Sequence, residues 1–111
     1  MQNLRNLEMP VLAAVKRASA KLAANDLPGA GDQLTLIGQD GRKILDWLDT
    51  HDAFARANTN TSACLKETMT DLAEQAESLL PHLRVADTTP DQLSKLRLDL
   101  GEAANCIQSG D

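Results

Sequence analysis

The chain has 111 residues, 42% of them hydrophobic and 24% charged. That length suits one domain, the apolar fraction excludes whole-chain disorder, and two cysteines exclude a disulfide miniprotein. The net charge is −5, from 11 Lys plus Arg against 16 Asp plus Glu, a sign that does not wrap a phosphate backbone unless the cations cluster.

Aromatic residues make up only 2% of the chain, with one Trp, one Phe and no Tyr. A core built from Leu, Ile, Val, Met and Ala suits helix packing better than sheet stacking. Leu4, Leu7, Val11, Val15, Ala18 and Leu22 recur at spacings of 3, 4, 4, 3 and 4. That is one apolar stripe and predicts a first helix over about 4–25. Pro10 is expected either in the first turn of a helix starting at about Met9 or at a kink. Residues 1–26 hold four cations against Glu8 and Asp26, a balance of +2, whereas residues 27–111 hold seven cations and 14 acids, a balance of −7. Lys16, Arg17 and Lys21 are therefore candidates for an anion-facing or nucleic-acid-facing patch. The plainer reading is a solvated face that offsets the acidic helices beside it.

The apolar run Met9–Val15 is closed by Lys16 and Arg17. It is far short of the roughly 20 residues of a membrane span, and it lacks the small-residue cleavage site of a signal peptide. A cytoplasmic protein with no membrane association is expected. Without secretion, the sequon Asn60-Thr61-Ser62 carries no meaning.

Leu27-Pro28-Gly29-Ala30-Gly31 reads as a breaker, and Asp32 as the N-cap of a second helix over about 32–57. Its stripe is Leu34, Ile37, Gly41, Ile44, Leu48 and Ala55. Gly38 and Gly41 each cost a helix about 1 kcal/mol relative to Ala. Residues 34–44 also read as a hairpin turning at Asp40-Gly41. The 3/4 spacing runs through both glycines and no sheet is at hand for a hairpin to join, so helix is expected. A break near Gly38–Gly41 would fit it, and glycines on the inner face would admit a close neighbour. Trp47 and Phe54 are seven residues apart with His51 between them. The three share one edge and are the candidate partner-binding residues, since Trp is enriched in binding hot spots; equally, Trp47 seals a groove between helices. Asp46, Asp49, His51 and Asp52 form a polar cluster. Helical metal sites need matching His and carboxylate pairs from a second helix. None is present, so a solvated acidic face is expected and no metal site.

The polar run 58–62 is expected to cap a third helix over about 62–80, with Leu65, Met69, Leu72, Ala76, Leu79 and Leu83 at spacings of 4, 3, 4, 3 and 4. Pro81 weakens its last turn, and His82 is expected to cap carbonyls there or lie exposed. Thr89 as N-cap, Pro90 as first helical residue and Gln92 closing a capping box start a fourth helix over about 90–108. Its stripe is Leu93, Leu96, Leu100, Ala103 and Ile107.

Four amphipathic helices with short connections predict an all-α fold, an antiparallel up-down-up-down four-helix bundle in a single domain over 1–111. A homodimer of helical hairpins is the alternative packing. Cys64 and Cys106 lie 21 residues either side of Val85, the centre of the last connection, so an antiparallel hairpin sets them at the same level. They form either a disulfide or redox pair clamping the two helices, or two reduced small apolar residues. The want of a secretory signal favours the reduced state.

The chain has two His on separate segments and no phosphate-cradling loop, so no nucleophile, base and orienter converge. Neither an enzyme nor a cofactor is expected. The heptad-like stripes resemble, in amphipathic spacing alone, those of export chaperones of bacterial flagellar and related secretion systems. The expected function is binding of another protein, in the manner of an adaptor, secretion chaperone, anti-activator or inhibitor. The alternative is a nucleic-acid-linked regulator using Lys16, Arg17 and Lys21, joined by Arg42 and Lys43. Nucleic acid is disfavoured because the third and fourth helices are acidic.

Overall fold

The computed structural model describes residues 3–109. The described residues form helices and their connections, with no strand. The helices are α1 (Leu4–Ala23), α2 (Leu27–Thr50), the short α3 (Asp52–Ala57), α4 (Thr59–Arg84) and α5 (Pro90–Ser109). The hairpin alternative over 34–44 is thereby overturned.

The ends of the helices differ from expectation at named residues. Helix α1 starts at Leu4, as the predicted 4–25 span has it, and not at Met9; Asn3 caps it, its side chain accepting from the Asn6 amide at 3.0 Å. Pro10 consequently lies inside the helix. The expected breaker 27–31 is helical. Asp26, six residues before Asp32, is the N-cap, and its Oδ1 accepts from the Gly29 amide at 3.0 Å. Pro28 then falls in the first turn, where a missing N–H leaves no helical bond unmade. Gly38 and Gly41 do not break α2. The break comes at His51, so the predicted helix over 32–57 is two helices, and four predicted helices become five. Helix α4 begins at Thr59 and carries Pro81 through to Arg84. The capping box of α5 forms as expected: Thr89 Oγ1 accepts from the Gln92 amide at 3.2 Å and Gln92 Oε1 accepts from the Thr89 amide at 2.8 Å.

Two helix ends close the same way. After α1, the Asp26 amide donates to the Lys21 carbonyl at 2.8 Å, with Asn25 at φ 59°. After α4, the Asp87 amide donates to the His82 carbonyl at 2.8 Å, with Ala86 at φ 56°. A left-handed residue just past the last turn lets the chain satisfy the orphaned carbonyls. Asn tolerates that conformation, whereas Ala is strained in it.

Packing follows the stripes. Helix α1 lies against α2 and α5, and α4 lies against α2 and α5, while α3 bridges α2 and α4. The start of α2 meets the end of α4, where a Cβ on Gly31 would come 3.1 Å from Leu80. Arg5 Nη1, at the start of α1, donates to the Ile107 carbonyl at the end of α5 at 3.0 Å. The buried apolar residues form one cluster that includes Val11, Leu34, Ile44, Leu72 and Leu100. Gly41 sits where a Cβ would meet Met69 Sδ at 3.1 Å. The glycines of α2 therefore serve the close helix approach that their inward position predicts.

Candidate functional site

The break at His51 builds the most distinctive surface feature. Trp47 stands one turn before the end of α2, and His51 follows that helix as the residue that caps it. The Trp47 carbonyl accepts from His51 Nδ1 at 2.7 Å, which folds the imidazole back over the indole. The rings stack with centroids 3.8 Å apart and planes 7° from parallel. Phe54, on α3, meets the same indole edge-on at 5.1 Å and 80°, the offset geometry that aromatic quadrupoles favour. The three residues predicted to share an edge are thus brought into direct contact. The hydrogen bond from Nδ1 leaves Nε2 of a neutral His51 as the acceptor.

The burial of this cluster is graded. His51 is exposed, while Trp47 and Phe54 are half-buried against the core. The indole Nε1 is buried and has no hydrogen-bond partner among the described residues. An unmet buried donor is costly, of the order of 1–3 kcal/mol.

The other predicted residues are less concentrated. Lys16, Arg17 and Lys21 are all exposed on α1. Arg17 Nε donates to Gln33 Oε1 at 2.8 Å, and Lys21 pairs with Asp26 at 3.5 Å. Two of the three cations are thus engaged within the chain. Cys64 and Cys106 are joined by a disulfide with Cα atoms 5.9 Å apart, so the reduced pair favoured from the sequence is not the state in the structure. Their equal distance from Val85 is the signal that places them together. Among the described residues, no group of three or more His, Cys, Asp or Glu is arranged to hold a metal ion. His82 is exposed and faces Asp87 at 3.9 Å rather than a carbonyl.

Two features escape the sequence patterns. One is a buried polar link between α4 and α5. Asp99, 4% exposed, accepts from Gln75 Nε2 and pairs with Lys95 Nζ at 3.0 Å. The hydrogen bond and charge of Asp99 raise the Lys95 pKa above its ordinary value. The four-residue spacing of Lys95 and Asp99 on one helix was its available signal. The other is a surface groove of about 630 Å³ between α2 and α4. Gly38, Ala73 and Ala76 floor it, and Arg42, Glu77 and Arg84 rim it.

No helix among the described residues is long and apolar enough to cross a membrane. Comparisons with protein-family models, with curated proteins and with solved structures find no match to this chain.

Proposed function

We propose that this chain is a non-enzymatic helical protein that acts by binding another protein, with Trp47, His51 and Phe54 as its contact edge. The supporting observation is the exposed imidazole of His51 stacked on the indole of Trp47, with Phe54 edge-on to the same ring. A partner that approaches this edge covers aromatic area of the kind that dominates binding hot spots. An adaptor, secretion chaperone, anti-activator or inhibitor would each use such an edge. That list is analogy at the level of fold class.

The finer architecture in this reading is the antiparallel up-down-up-down four-helix bundle in one domain. Its support is the set of end-to-end meetings: Gly31 with Leu80, Arg5 with Ile107, and Cys64 with Cys106. In the cytoplasm, the location expected from the sequence, reducing systems keep thiols open, so the bond there is transient. In an oxidising compartment it is a permanent clamp. Alkylation of the protein taken directly from its host separates the two, and the disulfide favours the oxidised form. The nucleic-acid reading has less support, because Arg17 and Lys21 are engaged by Gln33 and Asp26.

The test is affinity capture from the host with wild type and Trp47→Ala in parallel. The expected result is one protein retained by the wild type and lost by the variant, with helical circular dichroism unchanged. Equal retention by both overturns the Trp47 edge. Capture of nothing at any protein concentration overturns the binding role.

A further inference from the structure

The groove between α2 and α4 carries charges that the rest of the chain leaves unpaired. Arg42, Asp46 and Asp49 stand on the α2 side, and Glu74, Glu77 and Arg84 on the α4 side. All six are exposed, and none has an ion-pair partner among the described residues. Their order along the groove is not random. Asp49 lies seven residues beyond Arg42, and Arg84 lies seven residues beyond Glu77. Seven residues are two helical turns, so each pair shares a helix face. Because α2 starts where α4 ends, the two steps run in opposite directions along the groove. Gln39 and Glu74 repeat the relation, each three residues before its charged neighbour Arg42 or Glu77.

We infer that this face docks a second copy of the same chain about a two-fold axis crossing the groove midway between Arg42 and Glu77. That axis brings Arg42 of each copy to Glu77 of the other. The equal seven-residue offsets then bring Arg84 to Asp49 without further adjustment, and the equal three-residue offsets bring Gln39 to Glu74. Each contact occurs twice, as a self-complementary interface requires. The small residues Gly38, Ala73 and Ala76 leave room along the groove for the charged side chains of both copies to reach one another. A chain with net charge −5 repels itself; the Arg42–Glu77 and Arg84–Asp49 pairs, each made twice, offset that repulsion at this face. The molecule measures 43 × 24 × 21 Å, so one long side offers on the order of 900 Å², against about 800 Å² per partner in a standard interface. None of Trp47, His51 or Phe54 lines this groove, so the inference does not rest on the proposed contact edge.

The experiment is sedimentation equilibrium of the full chain across roughly 1 µM to 1 mM, the range in which such association is read, at about 0.15 M salt, where surface charges still act over several ångströms. Four proteins are compared: wild type, Arg42→Glu, Glu77→Arg, and the double variant carrying both changes. The expected result is a wild-type mass approaching twice the 12.0 kDa of one chain, with association weakened at least about tenfold in each single variant and restored in the double variant. Restoration follows only if the two positions face each other across copies. A wild type that remains at one chain mass throughout overturns the inference. So does association that the single variants leave unchanged, or that the double variant does not recover.

Discussion

Cys64, in the second turn of α4, is bonded to Cys106, in the last turns of α5, across a sequence separation of 42 residues. The bond ties together the ends of the two helices farthest from their own connection. Closing a loop of that size in the unfolded chain removes entropy worth about 4 kcal/mol in the chain-entropy model, with about 2–4 kcal/mol commonly observed. Urea unfolding with and without reductant checks this. We expect the midpoint to fall on reduction by an amount equivalent to about 2–4 kcal/mol, and Cys106→Ala to reproduce the fall without reductant.

The polar link between Gln75, Asp99 and Lys95 makes a pH-dependent prediction. Asp99 holds the Lys95 pKa above its ordinary value of 10.5. The folded chain therefore binds that proton more tightly than the unfolded chain, and the resulting stability is complete below the unfolded pKa. It is lost as pH rises through the higher folded value. The stability difference between wild type and Lys95→Met should be constant near neutrality and vanish in the alkaline range above 10.5, as read from urea midpoints along a pH series.

Truncating the neutral partner should cost more than truncating the exposed one. Gln75→Ala leaves the 4% exposed Asp99 with the Lys95 ammonium alone, and loss of a hydrogen bond to a charged group costs roughly 1.5–3 kcal/mol. Gln75→Leu together with Asp99→Leu should recover most of that loss, because replacing both partners by apolar groups removes the unmet demand. Chemical unfolding of the two variants against wild type measures both values.

Two opposite exchanges should each stabilise the fold. Ala86 holds φ at 56°, so Ala86→Gly relieves strain at the end of α4. Gly101 lies inside α5 with nothing within 4 Å of a Cβ placed on it, so Gly101→Ala raises helix propensity without crowding. Each gain should be about 0.5–1 kcal/mol, read as a higher thermal midpoint.

Apolar spacing made most of the helical architecture legible in advance. Every stripe residue of the first helix, from Leu4 to Leu22, is buried, because a 3/4 repeat admits one continuous inner face. The helix starts were less legible. Asp26 was passed over for Asp32, beyond the proline and glycines, since one short polar side chain decides a cap and several nearby residues qualify. The break at His51 had no local signal of the Gly or Pro kind; it became visible only once His51 was seen to donate to the Trp47 carbonyl. The seven-residue spacing of Trp47 and Phe54 pointed to one face of a single helix, whereas the break at His51 puts them on α2 and α3 and their contact is made across that break. The groove was not legible, because it arises from the meeting of Gly38 with Ala76 on separate helices.

Trp47 is the only tryptophan in the chain, so its fluorescence reports on the proposed edge without labelling. The most direct test is titration of the chain with the protein captured from its host, following Trp47 emission and repeating with His51→Ala and Phe54→Ala. A saturating shift in emission, with affinity weakened at least about tenfold in both variants, is the predicted result. Binding that saturates while Trp47 emission stays unchanged would place the contact elsewhere and contradict the account.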